Sequence, residues 1–256
     1  MKLRKILGGK SRRKAQKASK AEEPALLREH RREIASDAYV DWVVRMIGGW
    51  LEPGHGNLAS FLYGAKQLPA TGAVVEIGSF LGASTNILSY LLARHAGGRP
   101  LFNCDPWCFE GTEEPIGGYF DAARPEWRAY AKDLFVRNAR TFSAPNLPHS
   151  FEMDSNEFFA LWKAGAERSD LFGRSVRLGG PIAFAYVDGN HTYEQARTDV
   201  DNVLAHLVPG GILLLDDSAD DSPFGCKRVV PELVASGFAV VWANPNYLLR
   251  APGATR

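Results

Sequence analysis

Several features that would restrict the class of this protein are missing from its sequence. The 256 residues contain no apolar run long enough to cross a bilayer, and the amino terminus lacks the apolar core of a secretory signal. Cysteine is scarce, and Cys104, Cys108 and Cys226 make an odd count with no further metal ligands near the first two. We therefore expect reduced thiols and a cytoplasmic protein, because a disulfide framework needs an even set of cysteines.

The chain as a whole has no excess of positive or negative charge, although its first residues are strongly basic. The formal net charge is +1, which selects neither nucleic acid nor a membrane as a general partner. Nine basic residues precede Glu22, the first acidic residue. We predict a disordered basic tail over residues 1–22. Contact of this tail with a polyanion is the alternative, and we favour it less than a solvated tail.

The most informative stretch is an apolar strand that leads into a turn of small residues and then a helix. Residues 73–77 are apolar apart from Glu76, and the spacing Gly78-x-x-x-Gly82 follows. Gly78 lets a ligand approach the backbone, and Gly82 lets the helix start pack closely, with free N–H groups that favour an electron-rich ligand group. The spacing differs from that of dinucleotide folds and phosphate loops, and Glu76 would repel a pyrophosphate. The turn suits a positively charged ligand without phosphates, such as S-adenosylmethionine (SAM); an ordinary strand–helix turn is an equal alternative.

Apolar strands alternate with helical patterns over most of the chain, which predicts a parallel sheet with helices on both faces. Two final strands, at 238–243 and 247–250, are joined by three residues and must form an antiparallel hairpin. The prediction is a Rossmann-like, doubly wound α/β fold of seven strands, with an irregular connection at 164–180 and a helix over 193–207. The other strands are expected at residues 73–77, 100–105, 150–153, 182–187 and 212–215. We expect an N-terminal helical cap region over 23–69 and the main domain over 70–256.

Acidic residues stand at the carboxyl ends of the five strands expected to be parallel. Such sheets bind ligands beyond these ends, so the acids should gather at one edge. Two charges about 4 Å apart repel by about 1 kcal/mol in water and by several times more in a half-buried cleft. Something positive is therefore expected among them. They are Glu76, Asp105, Asp154, Asp188, Asp216 and Asp217.

Two of the five strand ends suggest contacts to a nucleoside. Asp105 can accept both hydroxyls of a ribose, and capping of the next turn is its alternative role. Trp107 could lie against an adenine face or simply pack. Asp154 and Ser155 could contact the adenine amino edge, or one of them could cap the helix that begins near residue 156.

The remaining strand ends suggest a metal and a base. Three carboxylates, from Asp188, Asp216 and Asp217, suit a hard divalent ion such as Mg²⁺, which would lower the pKa of a substrate hydroxyl. Alternatively, Asp216 or Asp217 caps a loop and Asp188 alone binds the ligand. His191 could act as a general base because an unperturbed histidine titrates near neutral pH, or it could be a structural group.

Two stretches resemble a known family. Residues 75–84 resemble motif I of class I SAM-dependent methyltransferases. Residues 185–217 resemble a small-molecule subgroup that includes macrolide-sugar O-methyltransferases and cephalosporin-hydroxylase-like proteins. The resemblance implies that Mg²⁺ binds at Asp188, Asp216 and Asp217, as in the metal-dependent members. It further implies that Glu76, Gly78 and Ser79 contact the methionine part of SAM, and Gly82 and Ser84 belong to the same motif. Asp105 would contact the ribose, and Asp154 and Ser155 would contact the adenine side.

The function expected from these residues is SAM-dependent O-methylation of a hydroxyl on a small molecule such as a sugar, assisted by a divalent metal. Asp188 or His191 would receive the proton. Two alternatives stay open: a SAM-fold protein with N-methyltransferase or hydroxylase-like activity, and a non-catalytic adapter that binds a polyanion through the basic tail. The expected partner is the small-molecule acceptor, with no nucleic acid; the oligomeric state, a homo-oligomer included, is left open.

Overall fold

Seven strands form one sheet that divides the molecule into two helical layers. The computed structural model describes residues 23–49, 51, 56–108 and 125–253. The sheet order is β3-β2-β1-β6-β7-β9-β8, and only β9 runs against the others. The predicted α/β fold with its reversed hairpin strand is therefore confirmed. The strands are β1 (Ala73–Ile77), β2 (Leu101–Cys104), β3 (His149–Phe151), β6 (Ile182–Val187), β7 (Leu207–Leu215), β8 (Ala239–Ala243) and β9 (Tyr247–Arg250), with β4 (Glu167–Ser169) and β5 (Ser175–Arg177) outside the sheet.

Helices cover both faces of this sheet because side chains alternate between the faces along each strand. Val74 and Phe184 belong to the core under the first five helices, whereas Val75 and Ala185 belong to the core under the last three. Each large side chain buried in this way stabilises the fold by about 1.5–3 kcal/mol. The helices are α1 (Ala25–Ala35), α2 (Ala38–Met46), α3 (Leu58–Lys66), α4 (Ala83–His95), α5 (Pro125–Phe142), α6 (Ser155–Ala164), α7 (Tyr193–Leu204) and α8 (Val229–Ala235).

The three helices that precede the sheet pack into the same core as α4. Leu27 from α1, Val43 from α2 and Phe61 from α3 are fully or almost fully buried there. Helix α3 contributes most, since all of its residues except Lys66 are buried. The amino-terminal end of α3 lies near the carboxyl ends of the strands, where Asn57 contacts Tyr186 of β6 and Asp216, the residue after β7.

The structure differs from the sequence prediction at two connections. Residues 164–180, expected to be irregular, contain the antiparallel ribbon of β4 and β5, whose three-residue strands are too short to give a periodic pattern. Helix α7 ends at Leu204, and β7 already begins at Leu207, so residues 209–211 lie within a strand with a register shift instead of between elements. Across the described ranges, no helix is both long and apolar enough to cross a membrane. The predicted basic tail, residues 1–22, lies outside the described residues.

Candidate functional site

A tight loop after β1 brings the ends of β1 and β6 into direct contact. Gly78 has a φ of 84°, and a Cβ atom at this position would lie 2.0 Å from the carbonyl oxygen of Asp188. The Asp188 N–H donates to the Ile77 carbonyl at 2.8 Å, which holds the two strand ends together. Only glycine fits this approach without displacing the backbone. The loop that was predicted to bind the cofactor therefore lies against the strand end that carries Asp188.

Asp105 anchors this loop from the end of β2. Its Oδ2 accepts the N–H groups of Ser79 and Phe80, each at 2.8 Å, and its Oδ1 accepts the N–H of Trp107 at 2.6 Å. Burial raises the pKa of Asp105, and these three donors act in the opposite direction. A carboxylate has about four acceptor positions, so about one remains for a ribose hydroxyl instead of the two expected. The bond to Trp107 is the capping role considered as the alternative.

Trp107 packs inside the protein. The residue is 1% exposed, its indole N–H donates to the Phe80 carbonyl at 2.7 Å, and its ring centroid lies 5.2 Å from that of Phe135. Both faces of the indole are therefore covered by protein. The structure thus shows the packing role that was considered from the sequence, and contact of Trp107 with adenine stays a prediction.

Glu76 is fully buried beside the first turn of α4. Its Oε2 accepts the hydroxyl of Thr85 at 2.5 Å and an N–H of Asn103 at 3.4 Å. Burial raises the pKa of Glu76 to about 7, while hydrogen bonds from Ser84, Thr85 and Asn103 lower it. Its Oε1 has no hydrogen-bond partner within the described part of the chain. A buried carboxylate oxygen without a donor fits a positively charged N–H donor, which the ammonium group of SAM would provide.

The other two residues of the glycine loop are held in place by their neighbours. Ser79 is buried, and its hydroxyl accepts an N–H of Asn103 at 2.8 Å. Gly82, with a φ of 90°, immediately precedes α4, and a Cβ there would lie 3.0 Å from the ring of Phe135. The start of α4 therefore packs closely under α5.

At the end of β3, Asp154 and Ser155 belong to different environments. Asp154 is exposed and caps α6 by accepting the Glu157 N–H at 2.9 Å, which is the alternative role considered from the sequence. Ser155 is buried, and its hydroxyl donates to Oδ1 of Asp199 at 2.5 Å. Burial raises the pKa of Asp199, a residue of α7 that the sequence analysis did not select. The adenine contacts of Asp154 and Ser155 stay predictions.

Asp188 and Asp216 form a carboxylate pair at the adjoining ends of β6 and β7. Asp188 Oδ2 accepts the hydroxyl of Tyr186 at 2.8 Å. Asp216 Oδ1 accepts the side-chain N–H groups of Asn57 and, at 2.7 Å, of Asn246. Burial and the adjacent carboxylate of Asp216 raise the pKa of Asp188 well above its ordinary value. The two carboxylates that the sequence placed together therefore meet, and together they favour a proton or a cation.

Asp217 does not join this pair. Its φ of 48° ends the extended backbone, and its Oδ2 lies 3.1 Å from Nδ1 of His191. Burial and the Asp216 charge raise the pKa of Asp217, and His191 acts in the opposite direction. Within the described ranges, no group of three or more His, Cys, Asp and Glu side chains is arranged to hold a metal ion. The carboxylates of Asp188, Asp216 and Asp217 are thus not gathered into one group in this structure, because the backbone turns at Asp217, and metal binding by them stays a prediction.

The sequence analysis missed four polar residues of this edge. Two of them carried a usable signal: Asn103 and Tyr186 are polar groups within buried strands, two residues before Asp105 and Asp188 on the same faces. The other two, Asn57 and Asn246, gave no local signal, because they meet Asp216 across 159 and 30 residues of chain.

Comparison with known proteins identifies the family. Similar solved structures include an O-methyltransferase from Bacillus cereus in complex with SAH (12% identity, covering 84% of this chain and 91% of that one, TM-score 0.52). Also similar is a putative O-methyltransferase from Klebsiella pneumoniae (13% identity, covering 85% of this chain and 91% of that one, TM-score 0.51). A third similar structure is apo CalS11, a TDP-rhamnose 3'-O-methyltransferase of calicheamicin biosynthesis (15% identity, covering 88% of this chain and 92% of that one, TM-score 0.50). At these identities the likeness shows the fold alone. Residues 75–218, more than half of the chain and including the glycine loop and both paired carboxylates, match the family model of a methyltransferase domain. The prediction of a SAM-dependent methyltransferase is therefore confirmed, and the chain belongs to this methyltransferase family.

Proposed function

We propose that the protein transfers a methyl group from SAM to a hydroxyl of a small molecule such as a sugar. The observation that carries this proposal is the close approach of Gly78, in the cofactor loop, to the backbone carbonyl of Asp188. The strand end that bears the Asp188 carboxylate, a group able to take a proton from a hydroxyl, therefore adjoins the proposed cofactor loop. The TDP-rhamnose 3'-O-methyltransferase among the structural neighbours, similar in fold, supports a sugar as the first acceptor to test.

The residues of the site divide the work of binding and proton transfer. When bound, SAM supplies an electrophilic methyl group. Glu76 would accept an N–H of the cofactor's ammonium group through Oε1, and Asp105 would accept one ribose hydroxyl. Asp188 would take the proton of the acceptor hydroxyl, because its carboxylate belongs to the strand end that adjoins the cofactor loop. Fixing the hydroxyl against the methyl donor supplies most of the rate gain in such reactions.

We further propose that a divalent cation such as Mg²⁺ assists the reaction. Asp188 and Asp216 are hard oxygen ligands from neighbouring strands, and their mutual repulsion is offset by either a proton or a cation. Asp217 would join them only if its side chain turned away from His191. A bound cation would lower the pKa of the acceptor hydroxyl.

His191 is the second candidate for the proton. Its imidazole contacts Asp217, whereas the backbone of Asp188 lies directly against the cofactor loop. Asp188→Asn should therefore lower turnover by more than about 100-fold, and His191→Ala by less than about tenfold. The reverse order would assign the proton to His191.

The test combines SAM calorimetry with an acceptor screen, each with Mg²⁺ and with EDTA. We expect Asp216→Ala to bind SAM within about threefold of the wild type and to lose at least about 100-fold in turnover, because it removes half of the pair. Asp221→Ala, an exposed acid on the same loop, is the matched control. Absence of SAM binding would refute the proposal, and turnover that EDTA leaves unchanged would remove the metal from it. The NMR chemical shift of the transferred methyl group distinguishes O-methylation from N-methylation.

A further inference from the structure

Two asparagines converge on Asp216 from opposite ends of the chain. Asn57 precedes α3, and Asn246 lies in the turn between β8 and β9; they are 5% and 9% exposed. Both amide groups donate to the same atom, Oδ1 of Asp216. Both residues lie outside residues 75–218, the segment that matches the family model. The match to the family model therefore assigns no role to them.

The orientation of each amide is fixed by a bond to its own oxygen. Asn57 Oδ1 accepts an N–H of Asn246 at 3.1 Å, so its nitrogen points to Asp216. Asn246 Oδ1 accepts the backbone N–H of Ser218 at 3.1 Å, so its nitrogen also points to Asp216. A side-chain amide that could rotate freely would present oxygen and nitrogen alternately to a carboxylate. Here both present only donors, which is how a preorganised site holds an anionic group.

Asn57 also links the two halves of the carboxylate pair. Its side-chain nitrogen lies 3.1 Å from the hydroxyl of Tyr186, and that hydroxyl donates to Asp188 at 2.8 Å. One amide therefore contacts Asp216 directly and reaches Asp188 through a single phenol. An exposed cluster of acids would lack such an arrangement, because its side chains would be free to turn towards water.

We propose that Asn57 and Asn246 are positioning residues, an amide clamp that fixes the Asp216 carboxylate so that it and Asp188 present one rigid surface to the acceptor hydroxyl. The proposal rests on the proposed O-methylation and adds two residues to its site. The clamp engages Oδ1 of Asp216 and sets the direction of the rest of the carboxylate. The helical segment before the sheet and the hairpin at its far end thus both take part in acceptor binding.

The first test is a double-mutant cycle measured by urea unfolding in EDTA. Asn57→Ala and Asn246→Ala are each made alone and in the Asp216→Asn background. Since hydrogen bonds to charged groups are among the stronger ones, we expect each asparagine to be coupled to Asp216 by about tenfold or more in the unfolding equilibrium constant. Additive effects of the substitutions would overturn the clamp. This measurement needs neither SAM nor an acceptor.

The second test asks whether the clamp matters for turnover. Asn57→Ala and Asn246→Ala should bind SAM within about threefold of the wild type and lower kcat by about 10- to 100-fold. Asn244→Ala is the matched control, because the same turn's Asn244 tethers to the Gly56 carbonyl and not to Asp216. Its kcat should stay within about threefold of the wild type. Unchanged kcat in both clamp variants would refute the positioning role. A wild type that methylates no hydroxyl would refute the proposed function, whereas the unfolding cycle would still accept or reject the clamp.

Discussion

Replacing Gly78 with alanine should damage both the fold and the cofactor site. The added Cβ would lie 2.0 Å from the Asp188 carbonyl oxygen, whereas ordinary contacts of this kind begin at 3.4 Å, so the strand ends must part by about 1.4 Å. This movement would stretch the Asp188 N–H to Ile77 hydrogen bond, now 2.8 Å. The loss in the free energy of unfolding combines left-handed backbone strain of about 1–2 kcal/mol, overpacking of about 1–3 kcal/mol and one hydrogen bond of about 1 kcal/mol.

The expected loss for Gly78→Ala is therefore about 3–6 kcal/mol, a large part of the stability of an ordinary domain. Gly173→Ala is the matched control, because Gly173 has a φ of 80° and a Cβ atom added there would meet no heavy atom within 4 Å among the described residues. It should lose only the strain, about 1–2 kcal/mol. Urea unfolding measures both variants, and calorimetry should show SAM affinity at least about tenfold weaker in Gly78→Ala alone. Equal losses in the two variants would refute the close-contact argument.

Two further substitutions test the interior of the cofactor site. Burial raises the pKa of Glu76 from 4.5 to about 7, so between these pH values the folded protein holds a proton on Glu76 that the unfolded chain has lost. The folded protein therefore loses stability as the pH rises from 4.5 to 7. Urea unfolding should show Glu76→Gln gaining about 3 kcal/mol on the wild type between pH 4.5 and 7.5, and a constant difference would contradict the raised pKa. Trp107→Phe should reduce the free energy of unfolding by about 1–2 kcal/mol through the lost bond to Phe80 and leave SAM affinity within about twofold; a tenfold loss would restore a stacking role.

The sequence was sufficient for the sheet and for the edge where the chemistry lies. Long apolar strands such as β6 are buried on both faces, so their pattern survives any detail of packing. The short ribbon of β4 and β5 escaped prediction because all three residues of β4 are exposed and β5 has a single buried side chain. Such short strands show no periodicity in the sequence. Propensity and spacing therefore predicted the buried strands of the sheet, including the three-residue β3, and missed the two short strands that are mostly exposed.

The candidate site was predictable only where the position of a residue along a strand decides the direction in which its side chain points. Asp188 and Asp216 continue the alternation of Tyr186 and Leu214, so their meeting follows from strand register. Asp217 departs from that rule through a single left-handed backbone angle, which no local pattern announces. Asp105 and Trp107 follow β2, as the sequence predicted. Their hydrogen bonds to the loop backbone were not predictable, because they depend on how that loop folds.

The bond between Asn57 and Asn246 spans 189 residues of chain, and this has a consequence for how the enzyme matures. During synthesis, the glycine loop and both carboxylates are complete well before the last hairpin exists. A nascent chain that has not yet produced β8 and β9 can pair β1 with β6, but its Asp216 lacks the Asn246 donor. Contacts of such long range also form late in folding, because loop closure must precede them. Competence for acceptor binding should therefore be among the last properties that the newly made protein acquires.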